Sequence, residues 1–519
     1  MGIGASLVNI SQAGGLNSWI WAEGVDANHD NWAYIMGLFG DLPPQGGTIV
    51  FPEQVPLKYP LCVPTGVKFL GTGQTPQAID AGVPLHLYYG TQFTPTGDWA
   101  GASQAGHTTI AAASNGLTLP QTTIALASAA GSAQSPAFTS AGYVLVQTIP
   151  VGGPGSYDGG WNLVQYTSII GNVLQGCTLP FSGNAGASQM FLGLPVVQAQ
   201  PVTGCTIDAH NVATVVAANS YYPGQPVIVM CNGFTGTYQP ASVFEVIAAT
   251  PTQFQIQLLG NAGGSFSASG SATAPYDTLL CLPNPHATLE ALAVVPGTTV
   301  NRGVGLGASD WHLRWLFAYQ GIVAEVDSDP QSPANTTRGE MTVCYMEQGI
   351  GAVGASFICQ GNNLRATNLY KTGGILYDMG GACNWLGSHL AGGYPYNTYF
   401  GSSSRWAACQ WDSLAANGTA LLANGGRPSN PGVSLAGCSF FNSVGSMATP
   451  LNVPILHNLT SGGQGVTIAG DCVADSSQYG AWSLLSDNPG EADQVLDGFM
   501  TSGTLGRRGI VRRERLAMS

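Results

Sequence analysis

Charge is what this sequence has least of. Lys, Arg, Asp and Glu make up only 8% of its 519 residues, and the formal net charge is −13. Lysine occurs only at Lys58, Lys68 and Lys371. Binding a nucleic acid requires clustered cations to neutralise phosphates, so that class of function is excluded for the body of the chain. A surface so poor in charge must be covered by Ser, Thr, Asn, Gln and backbone, which suits a strand-dense chain with much surface buried between copies. At this length one compact core of ordinary shape is exceeded, leaving several domains or an elongated repeat.

Long apolar runs are missing too. None approaches the ~18 residues of a membrane-spanning helix, so no membrane insertion is expected. The opening MGIGASLVNISQAGG has neither a cationic segment nor a sustained apolar one. No secretory signal is therefore expected, and the chain should be made in a cytoplasm and released by another route such as lysis. The eleven cysteines contain no CxxC pair and no Cys/His spacing suited to zinc. Asp26, His29 and Asp30 include metal-ligating types, but they stand where a helix cap is expected, so neither metal nor cofactor is predicted. No Ser-His-Asp elbow, P-loop or dinucleotide fingerprint is evident.

What is abundant is glycine, with 72 residues that supply turns rather than long helices. Six cysteines, Cys344, Cys359, Cys383, Cys409, Cys438 and Cys472, recur at separations of the order of one repeat. They read as reduced, buried small hydrophobes on successive turns, with disulfides as the alternative. Segments such as 356–359, 374–377, 406–409 and 433–441 are short, apolar and broken by Gly, Asn and Ser clusters. Their spacing, roughly 20–30 residues, fits one solenoid coil each. A propeller would want longer repeats with aromatic blade signatures.

The start of the chain adds an order of elements. Asp30 or Asn31 can cap a short amphipathic helix carrying Trp32, Ile35, Met36 and Phe39 and ending at Gly40. Then follow the strand GGTIVFP (46–52) and the segment LCVPTGVKFLGTG (61–73). This order, from about 30 to 73, resembles the opening turns of pectate-lyase-like β-helix proteins, including many phage tail spikes. In that family the helix covers the open end of the solenoid, which otherwise exposes unpaired strand edges and apolar interior. The resemblance implies an all-β fold, a right-handed parallel β-helix, and a homotrimer.

Between about 98 and 284 the texture changes. The stretches 123–131, 142–146 and 163–177 read as short strands joined by glycine turns, and 222–258 alternates apolar with polar residues, the period of half-buried antiparallel strands. Both stretches resemble small β modules of phage structural proteins. The expected organisation is thus a leader or attachment segment (1–29), a capping helix with first coils (30–97), two inserted β-sandwich or barrel modules (98–195 and 196–284), a main β-helix (285–500) and a basic arm (501–519).

Three groups are candidates for chemistry. Glu325, Asp327 and Asp329 share one face if their segment is a strand, as glycoside hydrolysis or Ca²⁺ binding would use; the alternative is a solvated turn before Pro330. Trp385, His389, Tyr394, Tyr396, Tyr399, Arg405, Trp406, Trp411 and Asp412 gather aromatic faces, a cation and an acid, which suits stacking on sugar rings. A subunit interface or plain packing would use the same residue types. Arg507, Arg508, Arg512, Arg513 and Arg515 put five of eleven arginines in the last 13 residues. They fit docking on an acidic neighbouring virion protein, an arm exchanged within a trimer, or a frayed end. The function expected is a virion protein of tail-spike or tail-fibre type that adsorbs to host surface polysaccharide. A polysaccharide lyase or hydrolase, and a head or tail decoration with no receptor role, are the alternatives.

Overall fold

The computed structural model describes residues 7–12, 15–52, 54–72, 90–100, 105–131, 135–150, 161–180, 188–230, 242–258, 272–296, 303–307, 310–319, 322–324, 339–347, 355–359, 364–378, 383–392, 396–400, 404–413, 422–424, 433–442, 445–446, 449–458, 466–468, 472–475, 480–485 and 500–502. Three largely parallel sheets, here called front, side and back, run the length of a right-handed β-helix. The front sheet passes from Gly47–Phe51 and Val67–Gly71 to Thr288–Glu290, Trp311–Arg314, Gly339–Thr342, Leu364–Thr367, Cys383–Leu386, Ser404–Ala407, Val433–Ala436 and Val466–Ile468. The side sheet passes from Gln54–Leu57 and Gln92–Pro95 through Ala293–Val294, Phe317–Tyr319, Tyr345–Glu347, Tyr370–Thr372, His389–Ala391, Gln410–Ser413 and Ser439–Asn442 to Val473–Asp475 and Met500–Ser502. The back sheet passes from Leu61–Cys62 through Leu280–Leu282, Val304–Leu306, Ile322–Ala324, Ala355–Cys359, Ile375–Asp378, Thr398–Phe400 and Leu422–Asn424 to Thr449–Asn458. The hairpin of Leu7–Gln12 and Gly15–Trp21 extends it at its start, where Trp19 to Trp21 pair in parallel with Thr48 to Val50.

Alternation within each front strand divides the two faces. Ile49, Phe69, Leu289, Leu313, Met341, Ala366, Trp385, Trp406 and Leu435 fall in one register, and all are buried within one continuous core. Each coil therefore stacks its inward residue on that of the next, and no coil could bury this surface alone. Gly339 shows how tightly the lumen is filled, because a Cβ there would lie 2.2 Å from Cζ2 of Trp311 on the preceding coil. Gly339→Ala is expected to cost about 1–3 kcal/mol by overpacking. Thermal unfolding checks this, and an unchanged midpoint would contradict it.

The bend from front to side sheet accounts for four of the six recurring cysteines, Cys344, Cys409, Cys438 and Cys472, whereas Cys359 ends the back-sheet strand Ala355–Cys359 and Cys383 begins the front-sheet strand Cys383–Leu386. One residue per coil takes the left-handed conformation at the bend: Ala291, Trp315, Val343, Asn368, Gly387, Ala408 and Gly437, with φ between 51° and 62°. The next residue turns inward and is buried: Leu292, Leu316, Cys344, Leu369, Ser388, Cys409 and Cys438, with Cys472 in the same register. Cys409 and Cys438 each donate a weak 3.4 Å hydrogen bond from Sγ to the carbonyl two residues earlier. The corner thus takes Leu, Ser or Cys, and where it is Cys409 or Cys438 the thiol is satisfied by a carbonyl of its own turn. Burial pushes the Cys344 thiol up to about 12, so it stays protonated. Cys62, Cys177, Cys205, Cys281, Cys344, Cys383, Cys409, Cys438 and Cys472 are free thiols.

The open end is covered as the order of elements predicts. Helix α1 (Trp32–Asp41) buries Ile35 and Leu38, and Phe39 stacks 6.1 Å from Phe69. Its first turn is held by Asp30, whose Oδ1 accepts the N–H groups of Trp32 (3.0 Å) and Lys58 (2.8 Å). Asn31 is buried instead and ties the loop at Asp26 to the Pro56 carbonyl. His29 Nδ1 lies 2.7 Å from Asp26 Oδ2 in the same exposed turn.

Lys68 to Leu70 pair directly with Thr288 to Glu290, so the front sheet continues across all the residues between. Of the described residues between, Gln92–Pro95 and Leu280–Leu282 are parallel strands of the solenoid, and the other strands are antiparallel. Their ten-stranded sheet has the main order Trp161–Tyr166, Gly142–Gln147, Pro195–Pro201, Ala272–Pro275, Pro226–Met230, Ser242–Thr250, Gln253–Gln257, Val212–Val216, Gly204–Ile207, with His107–Thr109 pairing beside Pro195–Pro201. Pro195–Pro201 spans the expected boundary at 195/196 and pairs with strands from both sides of it. This layer packs on the outside of the back sheet. Phe191 lies 6.1 Å from Tyr377 and 5.9 Å from Tyr399, and Cys62 and Cys281 share a cluster with Leu145, Trp161 and Ile228.

Candidate functional site

The antiparallel layer packs on the back sheet at Cys62, Cys281, Tyr377 and Tyr399, whereas the front and side sheets carry part-exposed and exposed side chains on their outer faces. The aromatic-rich region 383–413 crosses all three sheets, and each residue's place in its strand decides what it touches.

The structure corrects the sequence reading for three of the candidates. Trp385 and Trp406 point into the lumen from the front sheet and Trp411 from the side sheet, all at most 1% exposed. Trp385 and Trp406 stack with centroids 4.5 Å apart and planes 2° from parallel, and Trp411 lies 5.3 Å from Trp406. Their indole N–H groups donate to Asp378, Ser404 and Thr398, at 3.2, 2.9 and 3.0 Å. These rings fill the core and present no face to a sugar. Tyr396 and Tyr399 belong to the junction between back sheet and antiparallel layer, Tyr399 fully buried and Tyr396 half-buried against that cluster.

His389, Arg405 and Asp412 do reach the outside. Arg405 is exposed on the front face, and His389 and Asp412 are half-buried on the side face. Burial holds the His389 imidazole below its ordinary range, with Lys371 adding to the effect and Asp412 opposing it. A neutral ring at neutral pH offers both a donor and an acceptor. His389 ends a ladder that no spacing in the sequence announces. Phe317, Tyr345 and Tyr370 stack 4.7 Å apart within 9° of parallel, and His389 meets Tyr370 edge-on at 4.8 Å. These rings come from four successive coils joined in parallel register. Phe317, Tyr345 and Tyr370 thus turn their faces to one another, and His389 sets its ring edge-on against the last of them.

On the front face a polar row runs through Lys68, Thr288, His312, Glu340, Arg365, Asn384, Arg405 and Ser434. Its first half is ion-paired. Lys68 Nζ lies 2.8 Å from Glu290, and Glu340 accepts from Arg314 Nη2 at 3.4 Å and faces His312 Nδ1 at 3.2 Å. Arg365, which the sequence reading missed, is exposed like Arg405. The arrangement can hold a ligand by hydrogen bonds and charge. Among the described residues no three His, Cys, Asp or Glu side chains converge as a metal site would require. Glu325, Asp327, Asp329, Tyr394, Arg507, Arg508, Arg512, Arg513 and Arg515 lie outside the described residues.

No family model matches the sequence, and no curated protein is similar to it in sequence. Among solved structures the chain is similar to the tailspike protein gp49 from Pseudomonas phage LKA1, at 10% identity over 90% of this chain and 74% of that one, with a TM-score of 0.37. It is similar also to the tailspike gp61 of Pseudomonas phage phi297, at 10% identity over 90% and 73%, TM-score 0.34. A third is the Gp54 tailspike of Acinetobacter baumannii bacteriophage AP22, solved in complex with A. baumannii capsular saccharide, at 8% identity over 92% and 77%, TM-score 0.25.

Proposed function

We propose that this chain is a phage virion protein of the tail-spike kind, and that it adsorbs to host surface polysaccharide through the outer faces of its solenoid. The observation that carries the reading is the in-register polar row on the front sheet. Parallel coils repeat a side-chain position about every 4.8 Å, so His312 to Ser434 form a straight lane of hydrogen-bonding groups along the helix axis. A linear polymer of repeating units is the ligand such a lane matches. Arg405 on the front face and His389 and Asp412 on the side face are the proposed glycan contacts. Residues 98–284 are proposed as inserted β modules, the arginines of 507–515 as a docking arm, and the particle form as a homotrimer whose contacts hide part of the charge-poor surface.

Fluorescently labelled protein incubated with capsulate bacterial strains and their acapsular derivatives tests this. Labelling of capsulate cells alone is expected. Equal labelling of both, or of neither across the panel, counts against adsorption. The same incubations assayed for reducing ends or unsaturated uronic products separate an adhesin from a polysaccharide-degrading enzyme, the reading that Glu325, Asp327 and Asp329 would carry.

A further inference from the structure

We propose that the glycan is an anionic polysaccharide, and that Arg365 and Arg405 on the front face are its charge-reading residues. This rests on the adsorption reading above and adds the chemistry of the ligand.

The placement of cations in a cation-poor chain is the starting point. Of the described basic residues, Lys58, Lys68, Arg314, Arg365, Lys371 and Arg405, four stand on the outer face of one sheet. Two of the four, Lys68 and Arg314, are neutralised by Glu290 and Glu340. Glu340 is the register neighbour of Arg365, yet its carboxylate turns away to His312 and Arg314. Arg365 and Arg405 are exposed, and neither has an ion-pair partner among the described residues. The row thus changes from compensated to positive between Glu340 and Arg365. On a body of net charge −13, that stretch offers a polyanion two cations that no carboxylate of the described residues neutralises.

The geometry separates two kinds of polyanion. Asn384 stands between the two arginines, so the guanidinium stems are two strand spacings apart, about 10 Å. Duplex DNA carries a charge every ~1.7 Å of its axis and is held by dense cation clusters, which this face lacks among the described residues. Two arginines so far apart fit a chain of acidic sugars in which, when it is extended, the carboxylates of alternate sugars fall on the same side. Each guanidinium can take a carboxylate in a two-pronged contact. Leu386, 50% exposed, lies in the adjacent row between Thr367 and Ala407, and offers an apolar surface for the face of the intervening ring.

The test is native electrophoresis of the full chain through gels containing alginate, colominic acid, neutral dextran or duplex DNA. Retardation by at least one of the two carboxylated glycans is expected, weakening as salt rises, with none by dextran. Arg365→Gln and Arg405→Gln should each weaken it about tenfold, and the double variant more, while Arg365→Lys keeps part of it. Lys58→Gln, which removes a cation paired with Asp98 outside the row, should bind as wild type does. No retardation by either glycan, equal retardation by dextran, stronger retardation by DNA, or a double variant that binds normally would overturn the proposal. A change of oligomer mass in the double variant would also overturn it, by showing that the arginines face another copy. Capsulate cells labelled equally well by wild type and double variant would sink the charge inference and leave adsorption standing; cells labelled by neither protein would sink adsorption itself.

Discussion

Replacing Trp406 by alanine is expected to destabilise the solenoid by about 3–5 kcal/mol, the cost of deleting a large buried ring that its neighbours cannot collapse to fill. The ring is held on several sides: by Trp385 at 4.5 Å, Trp411 at 5.3 Å and Phe400 at 5.6 Å, while its N–H donates to Ser404 Oγ at 2.9 Å. Removing it leaves a cavity spanning two coils and one hydroxyl without its donor. Urea unfolding monitored by circular dichroism measures the loss. In a stacked solenoid each coil contacts only its neighbours, so the coils around Ser404–Ala407 should open before the capped end near α1. Trp406→Phe should recover more than half of the loss. The opposite pattern, stability unchanged and glycan retention lost, would show that Trp406 is a sugar platform after all and that the lumen is packed differently.

That contrast marks how far the site was legible in the sequence. The fold was largely readable, because its signals are local. A capping helix, a β-branched strand behind a glycine turn, and short apolar segments at coil spacing each fall within a few consecutive residues. Four of the six recurring cysteines follow from the left-handed corner that turns the next residue inward, while Cys359 and Cys383 belong to strands of the other two sheets.

The site was less readable, because facing depends on register. In Cys383-Asn384-Trp385-Leu386 the apolar residues occupy both parities, so the sequence does not say that Trp385 points in and Leu386 out. Ser404-Arg405-Trp406-Ala407 holds the answer, since an outward Arg405 forces Trp406 inward. The order of the strand then decides against the composition of the region. The Phe317, Tyr345, Tyr370 and His389 ladder had no sequence signal at all. Its members meet only after coils of unequal length are wound into register. The same holds for Arg365 and Arg405, which are separated in sequence by two coils and aligned by the sheet.

Lys371 is expected to give the solenoid a pH-dependent stability that a neutral side chain would abolish. It occupies the inward row of the side sheet between Met346 and Leu390, fully buried. Its Nζ donates to the carbonyl oxygens of Gly374 (2.8 Å), Gly392 (2.9 Å), Ala391 (3.3 Å) and Gly373 (3.5 Å). Those carbonyls favour the ammonium, but loss of water dominates and holds the group well below its ordinary value near 10.5. The unfolded chain keeps the proton up to that ordinary value, whereas the folded chain releases it earlier. Between the two values unfolding takes up a proton, so raising the pH stabilises the fold, by up to about 1.4 kcal/mol per pH unit. Below the folded value the full penalty of a buried cation is present, and above 10.5 it is gone. Lys371→Met has similar length and no charge, so its unfolding free energy should lose this slope while other titrating groups keep theirs. Urea unfolding of both proteins across mildly alkaline pH makes the comparison. Parallel curves for wild type and Lys371→Met would show that the lumen holds the charged and neutral amine equally well, and that the four carbonyls fully replace the water Lys371 has lost.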